Sequence, residues 1–254
     1  MRSYILVPGL WAGAWVWHRV ERRLRAAGHR AFALTLSGLS SDPAGSGSEA
    51  SDVTLADHVD DVLSVLIEHD LDDVVLVAHD YGGVVAGCVV DRAPERVSHT
   101  VYVEAFLAHD GRSMLDAFPD GVHAEELRLI ADNGGRLPPP PLAAIADGQD
   151  LSSRDARWLA KRFVAHPGRS ISGPATLGRP AAGHPATYVV CEQDHFAGSV
   201  GDDIDRLRDE PGWTFRTLPT GRWPMLSVPD ELVELLLDVG RAAGAVRAET
   251  AAGE

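Results

Sequence analysis

Cysteine is scarce in this sequence: among 254 residues only Cys88 and Cys191 carry a thiol. Both sit in apolar segments, which reads as two buried small hydrophobes in a reducing compartment and not as a disulfide framework. Positive charge is short as well. Lysine and arginine number 23 against 37 acidic residues, a formal net charge of −14, and no basic run stands out. Nucleic-acid binding needs a basic patch against the phosphates, so that class of partner is excluded. No apolar stretch approaches the roughly 18 residues of a membrane span, and the opening MRSYILVPGL enters a strand at once, without a secretory pattern. The expectation is a cytoplasmic protein without a membrane partner. Metal and nucleotide motifs are missing too. There is no HExxH and no paired CxxC, and PGLWAG lacks the GxGxxG spacing of a dinucleotide loop. The expected chemistry therefore uses no cofactor.

What is present is an apolar fraction of 45%, enough for one sizeable core with an inserted lid and not two independent units. Strands and helices alternate along the chain. YILVP (4–8), AFALTL (31–36), VVLVA (74–78), HTVYVEAF (99–106), ATYVVC (186–191) and WTFRTL (213–218) read as strands, several as continuous apolar runs. Between the first two, Trp17, Val20, Leu24 and Ala27 recur at helical spacing with Gly28 as the stop. Thr54 and Asp57 form a capping-box pattern before a second amphipathic helix. DELVELLLDVG (230–240) is a last helix, and the tail after it is expected to fray. The alternation predicts an α/β fold: a mostly parallel sheet with helices on both faces. Residues 107–185 interrupt the rhythm and read as a helical cap inserted within a single domain spanning 1–254. The Gly/Ser-rich loop 37–52 is a candidate lid.

The segment VVLVAHDYGGVV (74–85) has the form of a strand, a tight turn and a helix start. Such a corner holds its central side chain, here Asp80, out of the sheet at a helix N-terminus. Small residues flank it at Ala78 and Gly82, as close strand–helix approach requires. Together with LVPGLWAGAWVWHRVERRLRAAGHRAFALTLSGL, VYVEAF, YVVCEQDHF and LPTGRWPMLSVPDELVELL, this stretch resembles the α/β-hydrolases, in particular the small branch that includes plant hydroxynitrile lyases and methyl-ester esterases. The resemblance covers most of the chain and implies a Ser–His–Asp triad. Carried over residue by residue, Asp194 matches the family acid, Asp80 stands at the serine position and Arg222 at the histidine position, a degenerate triad. The resemblance also implies that the backbone amides of Leu10 and Tyr81 form an oxyanion pocket.

Serine-esterase chemistry needs a hydroxyl and an imidazole; an aspartate has no such proton to lose, and arginine stays protonated. Three readings stay open. Asp80 is a general base and Arg222 an oxyanion or carboxylate clamp in a non-hydrolytic reaction (cyclisation, elimination or lyase-type cleavage) of a small, largely apolar, polyketide-like aromatic substrate. Alternatively Asp80 is a covalent nucleophile, as in epoxide hydrolases whose elbows resemble HDYGG, with His195 the best available imidazole. In the third, Asp80 and Arg222 neutralise each other in a pseudo-hydrolase that binds a ligand. Trp11 is expected at the pocket mouth, Trp223 as a wall or a core residue, and Glu104 at a strand end as site support or as a partner of Arg222. His79 reads as a satisfied core histidine. A homodimer also stays open.

Overall fold

The computed structural model describes residues 1–40, 51–147, 150–179, 183–194 and 200–252. Six strands make one sheet: β1 (Ser3–Val7), β2 (Arg30–Ala33), β3 (Val74–His79), β4 (Val97–Val103), β7 (Ala186–Cys191) and β8 (Trp213–Leu218). Their order is β2-β1-β3-β4-β7-β8, and each neighbouring pair runs parallel. β1 and β3 are buried at every position, as strands covered on both faces must be.

Helices α1 (His18–Ala26), α2 (Leu55–Glu68), α3 (Gly82–Arg92), α8 (Val200–Leu207) and the last, α10 (Pro229–Ala252), supply the covering layers. One apolar cluster gathers Ile5, Val59, Leu76, Val85 and Val89 on one side of the sheet, and another gathers Leu6, Leu24, Val77, Leu232 and Leu236 on the other. This is the α/β sheet with helices on both faces that the alternation predicts. Thr54 caps α2 with a reciprocal bond from Asp57, and Gly28 takes φ +84° at the end of α1. Both cysteines are free and buried.

The expected frayed tail is different: α10 continues to Ala252. Gly240 and Gly244 let it lie on the N-terminal strand, where a Cβ would come within 2.3 Å of the Tyr4 hydroxyl or 2.2 Å of the Arg2 guanidinium. Docking of this kind extends a helix that propensity alone leaves marginal.

Between β4 and β7 the chain inserts α4 (Asp120–Asp132), the short pair β5 (Arg136–Leu137) and β6 (His166–Pro167), α5 (Leu142–Ala146), α6 (Ser153–Arg162) and α7 (Gly168–Ser172). β5 and β6 pair antiparallel and close the stretch of the insertion that carries α5 and α6. Of the candidate lid 37–52, residues 41–50 lie outside the described residues. Among the described residues, no helix is long and apolar enough to cross a membrane.

Candidate functional site

The turn from β3 into α3 sets the centre of the site. Asp80 has φ +52°, a left-handed conformation that aspartate tolerates better than most residues, at a cost of about 1–2 kcal/mol. Three backbone bonds hold it there: Asp80 N–H donates to Val103 O (3.3 Å), while Gly83 and Phe106 N–H donate to Asp80 O at 3.1 and 3.0 Å. Helix α3 can approach so closely only because position 83 is glycine; a Cβ there would lie 2.2 Å from the Phe106 carbonyl oxygen.

Asp80 is 5% exposed, and both of its oxygens are engaged. Oδ1 pairs with Arg222 Nη1 at 2.7 Å. Oδ2 accepts from the Leu10 backbone N–H at 2.9 Å. The oxyanion pocket expected from the resemblance is therefore not open at Leu10, because the carboxylate of Asp80 reaches back into it. Gly9 makes this reach sterically free, since a Cβ at that position would sit 2.7 Å from Asp80 Oδ2. The Tyr81 side chain turns the other way into the core, fully buried.

Arg222 follows β8 and bridges two acids. Its Nη2 lies 3.0 Å from Asp194 Oδ2, in a carboxylate side chain only 1% exposed. Burial opposes the guanidinium charge, but Asp80, Asp194 and Glu104 outweigh it and hold its pKa above the ordinary arginine value. His79, fully buried, places its Nε2 2.8 Å from the Arg222 carbonyl oxygen and so fixes the backbone that carries the guanidinium. Burial drives its pKa down to about 4, so it is a neutral core residue, but only half satisfied: among the described residues its buried Nδ1 has no hydrogen-bond partner. Glu104 also adopts a left-handed conformation, φ +42°, and its Oε2 accepts from the Cys191 N–H at 2.6 Å. Burial pushes its pKa up to about 7; the nearby Asp194 adds to the rise, while the Cys191 amide and Arg222 oppose it. Glu104 thus stands beside the cluster and outside the cavity lining.

Asp80 and Arg222 open onto a cavity of about 260 Å³. Leu10, Trp11, Phe106 and Trp223 line it from the sheet side. The insertion contributes Met114, Leu115, Phe118, Val122, Leu137 and Ile145. Trp11 is at this lining as expected, with φ +61°, its amide donating to His166 Nδ1 and its indole N–H to Leu137 O. Trp223 both lines the cavity and packs on His79, ring centroids 5.0 Å apart. No imidazole lines the cavity among the described residues; His195 lies outside them. A larger hollow of about 480 Å³, lined in part by His109, Asp203 and Arg206, contains none of these groups.

Two further features stand apart from the motif positions of the sequence. Glu126, on the inward face of α4, is a carboxylate in the apolar part of the lining. Behind the elbow, His58, Tyr81, His166 and Ser170 form a closed polar network. Periodicity carried a signal for the first: Val122 and Glu126 are one helical turn apart. The second had none, because its members come from three separate segments.

A family model described as the alpha/beta hydrolase family matches residues 4–235. A carbendazim hydrolyzing esterase from Nocardioides sp. is 30% identical over 254 residues, covering 94% of this chain and 100% of the relative. Methylesterase 9 of Arabidopsis thaliana is 39% identical over 266 residues, with 94% and 98% covered. Among solved structures, an extracellular alpha/beta-hydrolase from a Paenibacillus species superposes with TM-score 0.83 at 22% identity, covering 95% of this chain and 100% of that one. Tomato methylketone synthase I complexed with 2-tridecanone superposes with TM-score 0.70 at 14% identity, covering 95% and 98%. Fold, elbow and sequence converge: the chain belongs to the alpha/beta hydrolase family.

Proposed function

We propose that this chain is a cofactor-independent enzyme of the alpha/beta hydrolase family with a degenerate triad. Residues 107–185 serve as its cap, and it carries out a non-hydrolytic reaction on a small, largely apolar substrate. The observation that carries the reading is the side-by-side placement of a carboxylate and a guanidinium, 2.7 Å apart, at the base of an otherwise mainly apolar cavity. Each Asp80 oxygen uses one lone pair on its present partner and keeps another. Asp80 takes a proton from carbon next to a substrate carbonyl. The C–H electron pair becomes the enolate double bond, and the carbonyl pair moves to oxygen, where Arg222 holds the charge. Return of the proton, or departure of a group from the neighbouring carbon, completes an isomerisation, an elimination or a lyase-type cleavage. Asp194 keeps Arg222 in place. The esterase names of the relatives are consistent with a carbonyl substrate, but at position 80 this chain has no hydroxyl to acylate.

The test uses 2-tetralone, a bicyclic ketone with acidic α-protons, incubated in D2O and followed by NMR. Wild-type protein is expected to accelerate α-exchange, with Asp80→Asn and Arg222→Gln each reducing it at least about 100-fold. Intact mass should show no adduct. Exchange unchanged in Asp80→Asn overturns the assignment, and an ester adduct on Asp80 places the aspartate-nucleophile hydrolase first. One observation favours a second reading, a ligand-binding pseudo-hydrolase: the Leu10 amide and Arg222 already satisfy both oxygens of Asp80. That reading expects 2-tetralone to bind without exchange.

A further inference from the structure

Glu126 departs from its surroundings. It sits on α4, whose inward stripe holds Val122, lining the cavity, and Leu129 and Ile130, packed on the core. Its sequence neighbour Glu125 faces solvent and pairs with Arg128 at 2.6 Å. Glu126 turns inward instead, lines the cavity, and among the described residues its buried Oε2 has no hydrogen-bond partner. A buried acceptor left unpaired is costly, and the alternative residue types for such a position are the Leu, Val and Met around it. Burial raises its pKa, with Glu125 adding to the effect, as expected for a carboxyl group that lacks a compensating cation.

Asp80 and Arg222 enter the cavity from the sheet and pair with each other. Glu126 enters from the insertion with an acceptor to spare. We propose that Glu126 is a specificity-determining residue: it accepts a hydrogen bond from a hydroxyl or N–H group that the substrate carries away from its reacting carbonyl. The ligand class that follows is a hydroxylated (or N–H-bearing) aromatic ketone of one to two rings. The size follows from the cavity, since about 150 Å³ of apolar void admits a benzene ring and this one holds about 260 Å³. The discrimination follows from chemistry, because a site that leaves a buried polar group unpaired rejects analogues that lack the matching donor. The identity of the ligand as a ketone rests on the proton-abstraction reading; the hydrogen bond to Glu126 does not.

Three probes separate the two claims: 2-tetralone, 6-hydroxy-2-tetralone and 6-methoxy-2-tetralone. Their dissociation constants are measured by quenching of tryptophan fluorescence, since Trp11 and Trp223 line the cavity. Wild-type protein is expected to bind the hydroxy ketone on the order of tenfold more tightly than either of the others. Glu126→Leu should bind all three within about twofold of one another, while Glu126→Gln, whose amide oxygen still accepts, should keep most of the preference. Equal binding of the three by wild type, an undiminished preference in Glu126→Leu, or no binding of any probe overturns the assignment. Because binding is read without turnover, a preserved preference alongside absent α-exchange defeats the catalytic reading and leaves Glu126 standing. Exchange without preference does the reverse.

Discussion

Asp80 and Tyr81 are neighbours in the chain and belong to two different kinds of buried polar cluster. Asp80 joins Arg222 and Asp194 in a charged chain, two anions on one cation, one end of it open to the cavity. Tyr81 joins a neutral one. The Trp11 amide donates to His166 Nδ1, so that ring carries its proton on Nε2 and donates to Ser170 Oγ at 3.0 Å; the serine hydroxyl then donates to Pro167 O. His58 directs Nε2 at Ser37 O and accepts from the Tyr81 hydroxyl at Nδ1, both at 2.8 Å. Burial lowers the pKa of both histidines, in keeping with these uncharged forms. The neutral network matches donors to acceptors and lies off the cavity. The charged chain places a carboxylate and a guanidinium on the cavity lining. The difference separates polar burial closed off in the core from polar burial that reaches a cavity lining.

Removing the cation should produce the largest effect. Arg222→Met takes the guanidinium away from two buried carboxylates, Asp80 and Asp194, and about 3–5 kcal/mol of stability should be lost at pH 7. Urea denaturation measures this loss. Adding Asp80→Asn to Arg222→Met should cost less than the sum of the two single changes. A loss under about 1 kcal/mol in Arg222→Met would show that the chain of charges is not a structural unit.

Glu104 gives the second effect. Its native pKa of about 7 lies above the ordinary 4.5, so between these values the folded protein holds a proton that the unfolded chain has released. Stability must then fall as pH rises through that window. At 1.36 kcal/mol per unit, a rise from 4.5 to about 7 amounts to about 3 kcal/mol. The histidines with lowered pKa slope the other way, so the quantity to measure is the difference between wild type and Glu104→Gln. Relative to the variant, wild type should lose this amount between about pH 4.5 and 7 and change little above it. A flat difference profile would place the Glu104 proton elsewhere.

The smallest effect belongs to the neutral network. Tyr81→Phe takes the donor from His58 Nδ1 and should cost about 1–3 kcal/mol, with the affinity for 2-tetralone unchanged within about twofold. A loss of affinity as large as the loss of stability would erase the distinction between the closed cluster and the one that reaches the cavity lining.

Much of the architecture was legible because it depends on short-range pattern. Continuous apolar runs marked β1, β3 and β7, Thr54 and Asp57 marked the start of α2, and the elbow was visible in AHDYGG. The continuation of α10 past Gly240 was not, since Gly240 and Gly244 lie against Tyr4 and Arg2, far away in the chain. Within the site, Asp80, Arg222 and Asp194 could be named because each lies at a motif position. The network of His58 and His166 could not, because each of these histidines stands in an ordinary helix or loop pattern. Glu126 was hidden by its neighbour: two adjacent glutamates look alike until one is seen to face solvent and the other the cavity.

The sequence by itself determined that a carboxylate occupies the elbow, that an arginine follows the run WTFRTL, and that strands and helices alternate around them. Those facts are local, set by residue type and spacing. Only the tertiary structure decided that Asp80 and Arg222, 142 positions apart, meet at 2.7 Å, that the Leu10 amide is taken by Asp80, and that Glu126 points inward. Such contacts depend on the directions of side chains across a folded sheet and its insertion, and chain spacing does not encode a direction once the loops have closed.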